Sequence, residues 1–284
     1  MNRRTFLLES GAACAMLWGT GTRRAWGAEA RFRTITYNLR ECTGWGLRKE
    51  QQERLARLRP QLPERTALEL ALYDAGVVTL IEAPPEDVVA HMARTLGMEY
   101  RHANDASPGA VLTRCNILDW NPMPEGDAAP YTREQRPKHC ARAVLETALG
   151  PVILYSIHFT ARNEERRLRE LATSLNVMKD DIASGQSLVV QGDLNHSQQA
   201  PEYARWVDAG LQDVFRLKGA GIAQTLGAAK PAMRIDYIWV HGPLAAQLQE
   251  CRVLFEGAFR TNPEDPGSVG LSDHLPLMAT FGAP

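Results

Sequence analysis

Acidic, amide and imidazole side chains recur in this chain where runs of apolar, β-prone residues stop. Asn38 closes the run from Phe32, Glu82 follows Val77-Val78-Thr79-Leu80-Ile81, and His158 follows Val152 to Ile157. Asp193 and Asn195 follow Ser187 to Gln191, Asp236 lies at the start of Ile235 to Val240, and Asp273-His274 completes the set. A charged group at the end of a buried strand is costly unless it is paired or holds a metal ion, so these placements point to one shared site. Carboxylates and an amide with no Cys or His-rich cluster suit a hard, oxygen-loving cation, Mg²⁺ or Mn²⁺, that keeps positions open for water and phosphate.

Alternating short β-rich runs and longer helical ones supply the frame. Besides the runs above, Ala110 to Thr113 and Ala141 to Thr147 read as strands. Residues 49 to 73 carry helical Leu spacing interrupted around Pro60 and Pro63; Pro85 to Leu96 is a helix stopped by Gly97. Glu164 to Ile182 is amphipathic, with Leu168, Leu171, Leu175 and Met178 on one side. Pro- and Gly-bearing loops are expected at 121 to 138 and 257 to 272, and no change of composition marks a domain boundary after residue 28.

Seven runs carry a resemblance: Thr36-Tyr37-Asn38-Leu39, Leu80-Ile81-Glu82, Gly109 to Arg114, Ser156-Ile157-His158-Phe159, Gly192-Asp193-Leu194-Asn195, Arg234 to Ile238 and Ser272 to Pro276. Their order and rough spacing resemble the endonuclease/exonuclease/phosphatase superfamily over nearly the whole chain after residue 28. Any one tetrapeptide arises by chance, and Asp193 with Asn195 alone reads equally as an Asx turn; the ordered set is specific. The resemblance implies an α/β (α+β) fold, a four-layer sandwich of two packed mixed β-sheets flanked by helices, with the active site at one end.

It also implies roles. Glu82 is expected as the principal metal carboxylate, with Asn38 and Asp273 as further ligands or metal-water contacts. Asp193 is expected to orient or deprotonate the attacking water, and Asn195 to fix that water or the phosphate. His158 is expected on the phosphate and His274 across from it, with Asp236 holding the His274 ring. The general base stays open between the aspartate and a histidine. Ile81 stands where the family usually has Gln. The tyrosine or arginine that some members place between the metal glutamate and the first histidine is unassigned, with Tyr131 and Arg133 as candidates. His91, His102, His139, His196 and His241 match no family motif and are assigned to surfaces or loops; Arg114 is expected to tie a loop. Arg162, Arg166, Arg167 and Arg169, interleaved with Glu164, Glu165 and Glu170, read as a solvated face with salt-bridge spacing, with phosphate steering as the alternative.

The expected function is a secreted metal-dependent phosphoesterase that hydrolyses a phosphodiester or phosphomonoester by in-line attack of water. The alternatives are a secreted nuclease on DNA or RNA and a binding relative that has lost catalysis. A calcineurin-like metallophosphatase is set aside, because the Asp-x-His and Gly-Asn-His runs of its dinuclear site are missing. The substrate class stays open among a small phosphoester, a phospholipid head group and nucleic acid.

The amino terminus reads as a twin-arginine export signal over residues 1–27, carried by Arg3-Arg4, a mildly apolar stretch and Arg23-Arg24. Residues 28–284 then form the domain, destined for the periplasm or the exterior. Residues 1–27 hold Arg3, Arg4, Arg23, Arg24 and Glu9, a net of +3, so the formal charge of −1 becomes −4 without them. An acidic chain is a poor nucleic-acid coat, although local clusters still bind phosphate. The five cysteines become four, Cys42, Cys115, Cys140 and Cys251, with no CxxC pair for structural zinc; they read as buried free thiols. With 44% hydrophobic and 23% charged residues the chain is neither disordered nor fibrous, and no fixed-period repeat emerges. No apolar run reaches the roughly 20 residues that span a bilayer, so no stable membrane insertion is expected; the chain is expected to be a monomer.

Overall fold

Strand runs with apolar residues at every position, rather than at alternate ones, require cover on both faces, and the architecture provides it. The computed structural model describes residues 30–282 apart from 263 and 266, so the expected export signal lies outside the described residues. The strands are β1 (Arg31–Asn38), β2 (Val77–Ile81), β3 (Glu99–Ala103), β4 (Gly109–Thr113), β5 (Asn116–Asn121), β6 (His139–Thr147) and β7 (Gly150–His158). They continue with β8 (Leu188–Asp193), β9 (Gln212–Asp213), β10 (Gly219–Ala220), β11 (Asp236–His241), β12 (Leu248–Val253) and β13 (Leu277–Gly282). The helices are α1 (Lys49–Leu58), α2 (Leu62–Ala71), α3 (Glu86–Leu96), α4 (Glu164–Ala183), α5 (Pro201–Asp208) and α6 (Val214–Lys218).

One sheet has seven strands in the order β10-β12-β13-β1-β2-β4-β3, the other six in the order β5-β6-β7-β8-β11-β9. Both are mixed: β1 runs parallel to β2 and antiparallel to β13, and β7 runs parallel to β8, which is antiparallel to β11. Side chains alternate faces along each strand. Val152, Leu154, Val189, Ile238 and Val240 point into the core between the sheets, and the same connected cluster continues through the seven-stranded sheet to Leu55, Leu70, Val89 and Met92 of α1 to α3 on its other face. Ile153, Tyr155, Ile157, Val190, Tyr237 and Trp239 point the other way, onto Leu171 and Met178 of α4 and Tyr203 and Trp206 of α5. The expected α/β sandwich of two mixed sheets flanked by helices is therefore the architecture.

Several details differ from the sequence reading. The buried face of α4 includes Arg167 and Glu170 as well as Leu171 and Met178, and Arg167 donates to Glu202 Oε1 of α5 at 2.7 Å. The pairs Arg166–Glu170 and Arg169–Glu165 do follow the i,i+4 pattern. His139 and His196 are buried, not surface groups. Arg114 ties its loop as expected, donating to Asp74, the Ala75 carbonyl and the Leu96 carbonyl. The cysteines at 42, 115, 140 and 251 are free thiols. No helix among the described residues is long and apolar enough to cross a membrane.

Candidate active site

Strand register assembles the site. His158 at the end of β7 pairs with Asp193 at the end of β8, Asp193 pairs with Asp236 at the start of β11, and His139 at the start of β6 pairs with His158. Four ionisable residues thus form one row across four adjacent strands. Opposite them, β1 and β2 end side by side, with Asn38 in register with Ile81, so Asn38 and Glu82 emerge at the same end of the sandwich.

Asp193 Oδ2 is the point of convergence. It accepts from Asn38 Nδ2 at 3.0 Å and lies 3.6 Å from His158 Nε2 and 3.8 Å from His274 Nε2. Its other oxygen accepts the Asn195 backbone N–H at 3.1 Å, while Asn195 Nδ2 donates to the Phe159 carbonyl at 3.0 Å. His274 Nδ1 bonds Asp236 Oδ2 at 2.9 Å, and Ser272 Oγ donates to the Asn38 carbonyl at 2.7 Å, which pins the 272–274 turn against β1. All eight residues singled out from the sequence lie around this one end: Asn38, Glu82, His158, Asp193, Asn195, Asp236 and His274 through the contacts and registers above, and Asp273 through its place in the pinned turn and its 3.3 Å bond from Ser272 Oγ.

Local backbone conformation is unusual at two of them. Glu82 adopts φ 48° and Asn195 φ 52°. Asn tolerates this left-handed region, whereas for Glu it is a strained conformation of the kind concentrated at functional sites. Gly192 is required by its surroundings: at φ 147° a Cβ would drive into the Ile157 carbonyl of β7, so only glycine lets the Asp193 strand end lie this close.

The electrostatics separate the two histidines. Burial opposes a charge on His274, but the Asp236 carboxylate and its hydrogen bond outweigh that and raise the ring's pKa. Asp236 Oδ1 is buried with no hydrogen-bond partner among the described residues, so this carboxylate depends on the His274 ring at its other oxygen. Burial, and then Asp236, raise the Asp193 carboxyl. Burial drives His158 the opposite way, assisted by Lys138 and His139.

Two sets of groups could hold a cation. Ligand atoms of Asp193, Asp236 and His274 lie within 4.8 Å of one another, but their mutual bonds and those from Asn38 and Asn195 occupy much of their capacity. Glu82 is less committed: its side chain is 33% exposed and its Oε1 is 3.8 Å from His158 Nε2, beyond hydrogen-bond reach. With the Asn38 and Asp273 oxygens this is an all-oxygen donor set that fits a hard divalent ion and not zinc.

Sequence reasoning missed Lys138 and Ser107. Lys138 Nζ lies 3.4 Å from His158 Nε2, and Ser107 Oγ bonds His158 Nδ1 at 3.1 Å. Of the two earlier candidates, Tyr131 is turned away, donating to Asn176 Oδ1 at 2.5 Å, and Arg133 is exposed farther along the same loop. His139 supports the pair from behind: its ring bonds Asp105 Oδ2 at 2.8 Å and Ser156 Oγ at 3.1 Å. Isolated polar residues in loops carry no periodic signal; for Lys138, its place next to a strand that pairs with β7 was the one available clue.

A two-sheet α/β sandwich with a carboxylate and imidazole cluster at one end fixes the structural class, and sequence comparison gives the family. Residues 35–274 match the Endonuclease/Exonuclease/phosphatase family, and the chain belongs to it. Members of this family are hydrolases acting on phosphoester bonds. No curated protein is matched by sequence. Among solved structures, the chain is similar to a conserved protein of unknown function from Enterococcus faecalis, with TM-score 0.69, 18% identity and coverage of 89% of this chain and 99% of that one. A mannosyl-6-phosphatase from Bacteroides thetaiotaomicron gives TM-score 0.68, 16% identity and coverage of 89% and 100%. TDP2 from D. rerio, complexed with single strand DNA product, gives TM-score 0.64, 18% identity and coverage of 89% and 99%. At these identities the likeness is one of fold.

Proposed function

We propose that the protein is an exported, Mg²⁺-dependent phosphoesterase that hydrolyses a phosphate ester by in-line attack of water. The observation that carries this reading is the convergence of Asn38, His158 and His274 on Asp193 Oδ2 beside the uncommitted Glu82 carboxylate. Glu82, Asn38 and Asp273 would hold the ion, which would supply Lewis-acid polarisation of a phosphoryl oxygen. Asp193 orients the attacking water and draws on its proton, in a position fixed by Asn38 and Asn195. His158 and the protonated His274 flank the reacting phosphate and stabilise charge on its oxygens, and Asp236 keeps the His274 ring aligned. The ester oxygen departs opposite the incoming water as the phosphorus–oxygen bond breaks.

The test is a screen of residues 28–284 with Mg²⁺ against DNA, RNA, sphingomyelin and sugar or inositol phosphates. Hydrolysis of a phosphoester is expected, abolished by chelator and reduced about 10²-fold or more by Asp193→Asn. Full activity in excess chelator, or an unimpaired Asp193→Asn enzyme, would remove the reading. Export is proposed through the twin-arginine route on the strength of Arg3-Arg4. Replacing both by lysine should retain the precursor in the cytoplasm, and unimpaired export would refute that route.

A further inference from the structure

Beside His158 opens a cleft of about 740 Å³ that the reaction chemistry above leaves unused. Its wall carries four cationic side chains, Arg133, Arg136, Lys138 and Arg166, against two carboxylates, Asp105 and Glu134. Glu125 and Glu170 stand behind it as the partners of Arg136 and Arg166, so the formal charges around the cleft balance, in a domain whose own formal charge is −4, from −1 for the whole chain. What the cleft offers an anion is donors: Arg133 and Lys138 have no carboxylate partner among the described residues, and Asp105 is turned to the buried ring of His139. Arg136 is paired with Glu125 and lies over the Tyr131 ring, 5.7 Å from its centroid, and Arg166 is anchored by its Nε to Glu170; both keep further N–H groups. Arg133 is exposed. The cleft meets the reaction centre through Lys138, which lines it and also approaches His158 Nε2 at 3.4 Å.

Resting on the phosphoesterase reading, we propose that this cleft is a second anion subsite, so that the substrate is a compact molecule bearing another phosphate or a carboxylate beside the ester that is cut. A fork of guanidinium groups is suited to either anion. No aromatic side chain among the described residues lines the cleft to stack bases, which favours a small polyanion over a nucleic-acid strand.

The experiment compares kcat/KM within two matched pairs at fixed Mg²⁺, using residues 28–284. Fructose 1,6-bisphosphate against fructose 6-phosphate tests a second phosphate; 3-phosphoglycerate against glycerol 3-phosphate tests a carboxylate. The doubly anionic member of at least one pair is expected to be preferred about tenfold or more, the scale of one charge-assisted hydrogen bond. Arg133→Gln and Arg136→Gln should each shrink that preference while leaving the singly phosphorylated partner's kcat/KM near wild type. Arg133 is exposed, so its variant probes the cleft without disturbing the fold. Hydrolysis of the single phosphates with no preference in either pair would overturn the subsite and leave the phosphoesterase reading standing. Calorimetric binding of fructose 1,6-bisphosphate in chelator separates the two failures. Binding weakened by Arg133→Gln in a protein that hydrolyses nothing supports the subsite and rejects the activity, whereas absent or arginine-independent binding rejects the subsite. Efficient cleavage of a single-stranded oligonucleotide that is lost in the same variants would also overturn it, in favour of a strand-binding track.

Discussion

His196 shows how a buried imidazole can be fixed in one protonation state by two neighbours. Its Nδ1 bonds the Ser197 carbonyl at 3.0 Å and its Nε2 accepts the Trp206 indole N–H at 3.2 Å, with the ring stacked on Tyr237. A second ring proton would expel the Trp206 bond, and burial accordingly lowers this pKa to about 4 from 6.5. A histidine depressed in the folded state contributes stability that is fully present above the unfolded pKa and is lost as pH falls towards the folded one. From about 6.5 to about 4, unfolding should thus become easier by roughly 3 kcal/mol from this group. Urea midpoints measured across that window should fall steeply in the wild type and less steeply in His196→Gln; parallel slopes would assign the effect elsewhere. At the same scale, the motif residues were legible because each ends or begins an apolar run. Lys138, Ser107 and His139 were not, because their roles come from pairing and loop closure and not from local pattern.

Between elements, the two sheets are joined below the site by a polar tie that apolar patterning conceals. Gln191 of β8, fully buried, accepts from Thr34 Oγ1 of β1 at 2.9 Å, and its Nε2 lies 3.2 Å from the Ile35 carbonyl and 3.0 Å from Thr79 Oγ1 of β2. Gln191→Leu would keep a similar volume but strand these partners in a dry interface, at a cost of about 2–4 kcal/mol. A urea midpoint lowered by that amount, without loss of secondary structure, is expected; an unchanged midpoint would show the tie contributes nothing. The long apolar strands and the helices α3 and α4 followed from sequence, including the stop at Gly97, which takes φ 63°. β13 did not, although it sits inside the seven-stranded sheet between β12 and β1. Its six residues follow directly on a catalytic-looking turn, include a single β-branched residue, Thr280, and end in Gly282. β3 and β5 are likewise weak in sequence because both lie at sheet edges and expose much of their length.

Across the whole molecule, charge decides what size of substrate can be held. A nuclease with an extended footprint gathers many phosphate contacts, and its affinity falls with log salt at a slope near −0.9Z for Z contacts on duplex DNA. The domain after residue 27 carries −4 by the subtraction above from a whole-chain −1. Elsewhere, basic groups such as Arg167, Arg234 and Arg142 are committed to Glu202, Asp213 and Asp181. The cations Arg133, Arg136, Lys138 and Arg166 line one 740 Å³ cleft, of which Lys138 reaches His158. Such an arrangement can draw in a small polyanion, and screening should weaken it only modestly, since contacts within a cleft lie closer than the Debye length of about 8 Å at physiological ionic strength. We therefore expect kcat/KM, measured on the best substrate of the screen over a salt series at fixed Mg²⁺, to fall with a slope equivalent to no more than about two released counterions. A slope several times steeper, accompanied by strong activity on DNA or RNA, would mean that the strand engages surface beyond the cleft, and the nuclease reading would then take precedence.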